Sequence, residues 1–170
     1  TLNGAFANGG TLELVGTSGS NATLVVADGF TNTGLITLDN SHASSTRSAT
    51  LTLSTGTLTN DGTIQSLRSG AGGNQQINAE ILQTTNGVID VDHSLDIRGV
   101  IKDLRQGTID VADGQVLLFE SNGPGSTLTL GTPATLPGGG TIRFSGTQTL
   151  NFADPFDLAG TPTSFDLSTA

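Results

Sequence analysis

The sequence predicts an all-β protein: a right-handed parallel β-helix, or solenoid, of about six coils with three short strands each. Three observations predict it. A glycine-led strand phrase recurs at intervals of 20 to 33 residues, two further strand phrases keep step with it, and the composition is crowded with turn formers. Periods of this size are the mark of stacked supersecondary units.

The composition sets the frame. Charged residues are 12% and aromatics 4% of the chain, whereas Gly alone supplies 24 of 170 positions, so the fold must turn often. Leu, Ile, Val and Phe fall in short pieces with alternating polar neighbours, which is strand patterning. No run of strong helix formers reaches the length that a helix needs.

The glycine-led phrase is Gly, a small or branched residue, then apolar–polar–apolar. It reads Gly10-Thr11-Leu12-Glu13-Leu14, Gly34-Leu35-Ile36-Thr37-Leu38, Gly62-Thr63-Ile64-Gln65-Ser66, Gly87-Val88-Ile89-Asp90-Val91, Gly107-Thr108-Ile109-Asp110-Val111 and Gly140-Thr141-Ile142-Arg143-Phe144. The glycines lie 24, 28, 25, 20 and 33 residues apart. Just upstream sits an apolar–x–Asn–x–Gly element at Phe6/Asn8, Phe30/Asn32 and Leu58/Asn60, with Leu82/Asn86 as a looser fourth copy. Downstream comes a second alternating strand, as at Thr23–Val26, Thr50–Leu53, Gln76–Ala79, Ser94–Ile97 and Gln115–Leu118. Thr127–Leu130 and Thr149–Phe152 read as its later copies.

The first and third residues of each triplet share a face because the side-chain period of a strand is two. Stacked coils then build one core along an axis. Asn8, Gly10, Asn32, Gly34, Asn60, Gly62, Gly87, Gly107 and Gly140 are the expected structural corners, where Gly adopts backbone conformations closed to other residues and Asn tolerates them next best. The Asn set is also expected to stack as an amide ladder. The longer inserts, among them Asn40–Ser48, Arg68–Asn74 and Thr132–Gly139, project as edge loops.

Residues 1–170 are expected to form one solenoid domain, with 153–170 an irregular final coil that keeps a strand near Ser164–Leu167. The pattern opens in mid-phrase and neither end shows an evident cap. A fragment of a longer chain, flanked by neighbouring solenoid or cell-surface domains, is the expectation.

The phrases Phe30-Thr31-Asn32-Thr33-Gly34 and Leu58-Thr59-Asn60-Asp61-Gly62 resemble the repeats of bacterial autotransporter passengers and filamentous-haemagglutinin-like adhesins, over most of residues 4–152. The resemblance implies a secreted, extracellular stalk or adhesive rod at the cell surface. It carries over no catalytic residue.

Charge and side-chain chemistry narrow the function. Fifteen carboxylates against six Lys plus Arg give a net charge of −9, which repels a phosphate backbone and speaks against nucleic acid. No apolar run is long enough to cross a bilayer. The absence of Cys removes disulfides, thiol nucleophiles and thiolate metal sites. The outward residues Glu13, Thr37, Gln65, Asp90, Asp110 and Arg143 form an expected ladder, with Asp92, Asp96 and Asp113 near its acidic part. A solvated acidic face is the favoured reading of Asp90, Asp92, Asp110 and Asp113. A Ca²⁺ site and the paired carboxylates of a polysaccharide-cleaving enzyme are the alternatives. No contiguous calcium-loop motif is present, and neither His42 nor His93 has a second His at metal spacing, so no metal or other cofactor is assigned. Ser44, Ser45 and Ser48 near His42 lack the nucleophile-elbow pattern, and Gly138-Gly139-Gly140 has no following helix or Lys to make a phosphate cradle. A structural or adhesive, non-enzymatic segment is therefore expected. Glycan binding or ice binding is the alternative, the latter from the pairs Thr50/Thr52, Thr57/Thr59, Thr127/Thr129 and Thr147/Thr149.

Overall fold

The computed structural model describes residues 1–131, 134–153 and 162–167. Much of the expected final coil, and Thr132 and Pro133 of one expected loop, lie outside the described residues. The strands of the first coils are β1 (Ala7–Asn8), β2 (Thr11–Gly16), β3 (Ala22–Val26), β4 (Phe30–Asn32), β5 (Leu35–Asn40), β6 (Ala49–Asn60), β7 (Thr63–Ser66) and β8 (Gln75–Gln83). They continue as β9 (Val88–Val91), β10 (Leu95–Gly99), β11 (Ile101–Leu104), β12 (Thr108–Val111), β13 (Val116–Ser121), β14 (Thr127–Gly131), β15 (Thr141–Ser145), β16 (Thr149–Ala153) and β17 (Ser164–Asp166). Every strand pairs in parallel with its equivalent one coil away, and about six coils stack as a β-solenoid. At about 4.8 Å per coil the stack is about 29 Å tall.

Three faces run along the axis. The anchor face is the five-stranded sheet β2-β5-β7-β9-β12. The second face stacks β3, the first half of β6, the first half of β8, β10, β13, β15 and β17, while the third stacks β1, β4, the later halves of β6 and β8, β11, β14 and β16. β6 turns the corner between the last two faces within one strand, where its register against β8 shifts between Thr52 and Thr57. Gly56, with φ of 74°, supplies the left-handed backbone that this bend requires.

The core is made of inward columns. Ile36, Ile64, Ile89 and Ile109 form one on the anchor face, and Leu51, Ile77, Ile97, Phe119 and Phe144 another on the second face, all without exposed surface. Phe119, Phe144 and Phe165 stack with centroids 6.3 and 6.1 Å apart. Each such side chain contributes about 1.5–3 kcal/mol of burial, and no single coil could bury its own apolar face.

The expected amide ladder is present and extends one rung further than the motif. Asn8 Nδ2 donates to Asn32 Oδ1 at 2.8 Å, Asn32 Nδ2 to Asn60 Oδ1 at 2.9 Å, and Asn60 Nδ2 to Gln83 Oε1 at 3.4 Å. The second amide hydrogen of each Asn is given to the backbone of the anchor strand of the next coil, at Leu35, Thr63 and Val88. Gln83, not Asn86, takes the fourth place: Leu58 and Asn60 pair with Ile81 and Gln83. Leu82 is 39% exposed and Asn86 bonds Asp61 at the surface. The longer Gln reaches the same column from a different offset, which is why the spacing pointed to Asn86.

The corner glycines need a different explanation from the expected one. Gly10, Gly34, Gly62, Gly87 and Gly107 do form a column, but only Gly107 has a left-handed φ, of 76°. A Cβ at Gly34 would run into the carbonyl oxygen of Gly10, one at Gly62 into that of Gly34, and one at Gly107 into that of Gly87. Close stacking of backbone on backbone, more than unusual dihedrals, is what demands glycine there.

Gly140 does not belong to that column. β15, which follows it, pairs with β13 on the second face, so Arg143 lies opposite Leu118 and Asp166 and not opposite Asp110. The anchor position of that coil is Thr135, which bridges Thr108, donates to Gly107 O at 2.9 Å and accepts from Ile109 N at 2.9 Å. Leu136 beside it is buried. Pro137 has no N–H to continue the ladder and keeps this copy short. Gly140 instead packs at the corner above Val111, with its N–H on Val111 O. β14 and β16, expected as second-face strands, stack on the third face beside β11, because β13 and β15 already hold the second face of their coils. Phe152 occupies an inward register opposite Leu130 but is 52% exposed, unlike the buried Phe30 and Phe144.

Candidate functional site

Two surfaces concentrate polar chemistry. The first is the anchor-face ladder, whose register is Glu13–Thr37–Gln65–Asp90–Asp110. Asp90 and Asp110 are direct neighbours across adjacent strands. Gln65 Nε2 donates to Asp90 at 2.9 Å. Burial is the main cause that raises the Asp90 carboxyl above its ordinary range; Asp92 adds to the rise, the Gln65 hydrogen bond opposes it, and Asp110 adds again. Asp113 lies at the exposed turn after β12, against Gly139, while Gly138 sits over Asp110 and Val111. The triple glycine thus lets one loop lie flat on the acidic corner of the coil beneath. Among the described residues no group of three or more His, Cys, Asp or Glu is placed to hold a metal ion.

The second surface arises from a step in loop length. The inserts after β5 and β7 stack on each other through Ala71 N–H to His42 O at 2.8 Å and Arg47 N–H to Gly72 O at 3.2 Å, and Asn40 Nδ2 bonds Gly72 O. The next coil turns this corner tightly through Asp92, His93 and Ser94. The loops therefore form a wall, and the second face beyond it, at β10, β13 and β15, forms a floor. Two adjoining depressions of about 350 and 530 Å³ follow this step and share Gly73, Asn74 and His93 as lining. Arg68 and Ser48 line the wall side; Asp96, Val116, Leu118 and Arg143 line the floor. His93 Nε2 lies 3.0 Å from Gly73 O, and Arg68 Nε donates to Gly70 O at 3.3 Å.

The charges of the floor are largely engaged with each other. Arg98 bridges Asp96 and Glu120 at 2.7 Å each, and Arg143 meets Asp166 at 2.8 Å. Burial raises the Asp96 carboxyl above its ordinary range despite the hydrogen bond and charge of Arg98, and Glu120 adds to the rise. Arg68, by contrast, has no carboxylate within ion-pair distance among the described residues.

Threonines align in pairs on the third face, Thr31 opposite Thr59 and Thr127 opposite Thr149, and neither column continues into a further coil among the described residues. Thr57 and Thr59 lie opposite Glu80 and Leu82, and Thr127 and Thr129 opposite Ile101 and Asp103. Thr50 and Thr52 lie on the second face, opposite Gln76 and Asn78.

Lys102 is the functional-group surprise. Placed in the sequence between Asp96 and Asp103, it is wholly buried, in the inward column between Ile81 and Leu128. Its Nζ donates to Gly99 O at 2.7 Å, Ser126 Oγ at 3.1 Å and Glu120 O at 3.4 Å. Burial pulls its pKa down from 10.5 to about 8. The signal in the sequence was its alternation with Leu104; the adjacent Ile101, which is 50% exposed, masked it. The Arg68–His93 step was likewise missed, because loop stacking leaves no periodic trace.

Fold and surface together define the class: a parallel β-solenoid with an acidic anchor face and a stepped, charge-paired second face. No family model, curated protein or solved structure matches the chain.

Proposed function

We propose that the chain is a structural segment of an extracellular, cell-surface adhesive rod, a non-catalytic spacer that carries loops on one corner. The observation that supports this best is the continuity of axial order. Core columns, the amide ladder and the anchor register pass from coil to coil, so load along the axis is shared by parallel backbone hydrogen bonds. The likeness of the Phe30–Gly34 and Leu58–Gly62 phrases to autotransporter and haemagglutinin-like repeats supports the surface location.

Single-molecule pulling between the two termini tests the reading. A load-bearing solenoid yields in steps of about one coil, each releasing roughly 60–100 Å of chain at 3.3–3.6 Å per residue. Collapse in one step at low force contradicts the spacer reading. Release of oligosaccharide from a polysaccharide, abolished by Asp90→Asn or Asp110→Asn, would replace it with a catalytic one.

A further inference from the structure

We propose that the step between the loop wall and the second face is a binding groove for an acidic oligosaccharide, a saccharide bearing carboxylate or sulfate groups. This goes beyond the spacer reading, which stands or falls separately. Arg68 and His93 meet at the wall: a Cβ placed on Gly72 would lie 3.6 Å from Arg68 Nε and 3.5 Å from His93 Cε1, so guanidinium and imidazole flank the same small residue. Arg68 is exposed and, among the described residues, has no ion-pair partner, so its fork is available to an anion. The ring of His93 lines both depressions. His93 Nδ1 and Asp96 Oδ1 are buried with no hydrogen-bond partner among the described residues. Buried polar atoms are paired as a rule; with His93 Nε2 donating to Gly73 O, Nδ1 is, like Asp96 Oδ1, an acceptor left over beside the groove, and the hydroxyl groups of a sugar are the donors that such acceptors take.

The floor supplies the other half of saccharide recognition. Val116 and Leu118 are half-buried, outward-facing apolar residues among polar neighbours, and both line the groove. They offer C–H surface to a sugar ring, with Asn74 and Arg143 at the margins for hydrogen bonds. β10, β13 and β15 set the floor at about 10 Å across, and the larger depression of about 530 Å³ falls in the range of small-ligand sites. The net charge of −9 does not forbid an anion here. The Asp90–Asp110 ladder is on another face, and exposed charges beyond about 8 Å are largely screened at physiological salt.

The test is calorimetric titration of the intact chain with four probes: an oligogalacturonate hexamer, a sulfated hexasaccharide, neutral maltohexaose and hexaglutamate. Saturable binding of either acidic saccharide, about tenfold or more tighter than maltohexaose and hexaglutamate, supports the groove; whichever acidic probe is preferred identifies carboxylate or sulfate as the group read. Arg68→Gln and His93→Gln should each weaken that binding about tenfold, Arg68→Lys less, and Glu13→Gln on the anchor face not at all. Unchanged melting temperatures establish that these variants keep the fold. Absence of saturable binding overturns the proposal, as does equal binding of maltohexaose or hexaglutamate, or affinity that Arg68→Gln and His93→Gln leave unchanged.

Discussion

At the scale of single residues, the coil geometry supplies partners to the buried amides of the axial ladder and to the buried Lys102. Each Asn of the Asn8–Asn32–Asn60–Gln83 ladder is satisfied twice over, with one amide hydrogen spent along the axis and the other on the anchor strand of the next coil. Lys102 has neutral oxygens as hydrogen-bond acceptors, and its lowered pKa follows from the cost of burying an ammonium. The sign of the effect is unusual. Between about pH 8 and 10.5 the unfolded chain holds a proton that the folded chain has released, so stability rises with pH across that window, by about 3 kcal/mol in total. Below about pH 8 both states are protonated and the penalty is fully present. Lys102 is the sole lysine, and Tyr and Cys are absent, so the alkaline limb is that of one side chain. Urea denaturation at pH 7 and pH 10 should show the unsubstituted chain more stable at pH 10. Lys102→Met should abolish that difference and be more stable at pH 7 by about 1–3 kcal/mol. A stability that falls from pH 7 to pH 10 contradicts the assignment.

At the scale of the element, what was legible in the sequence is the part that periodicity governs. The anchor triplets from Gly10 to Gly107 pair in the expected register because an apolar–polar–apolar step has one way to face a core, and a one-residue slip would turn Ile36 and Leu38 to solvent. Legibility failed where spacing and chemistry part. Gly140-Thr141-Ile142 repeats the phrase yet builds the second face, while Thr135-Leu136 holds the anchor place without a glycine, because Ala134 and Pro137 give that copy no recognisable frame. The Arg68–His93 step was illegible for another reason: it depends on which loops stack, a property of two inserts together. The glycine column offers a matched comparison. Gly62→Ala drives a methyl into the Gly34 backbone, whereas a Cβ at Gly10 meets nothing within 4 Å. Thermal melts should show Gly62→Ala destabilised by about 2 kcal/mol or more and Gly10→Ala within about 0.5 kcal/mol of the parent. Equal losses would mean that dihedral freedom, not close stacking, sets the requirement.

At the scale of the whole molecule, the solenoid divides its labour by face. The interior columns and the amide ladder carry stability. The anchor face presents acids that water and salt screen, and the second face ties Asp96, Arg98 and Glu120 together and pairs Arg143 with Asp166. Length variation is confined to corners, which is how coils of 20 to 28 residues keep a common strand register. A rod built this way can change its loops without disturbing its core, and the proposed saccharide groove is a product of that freedom: it exists because two coils have long corners and the next has a short one.

Oxidative cross-linking of paired cysteines tests the axial register most directly, since the native chain has no cysteine to compete. Neighbouring strands in register bring Cα atoms within disulfide range. Gln65→Cys with Asp90→Cys should close a disulfide in the folded chain, and so should Leu118→Cys with Arg143→Cys. Asp110→Cys with Arg143→Cys should stay open. A disulfide between positions 110 and 143, or none at the other two pairs, would contradict the stacking described.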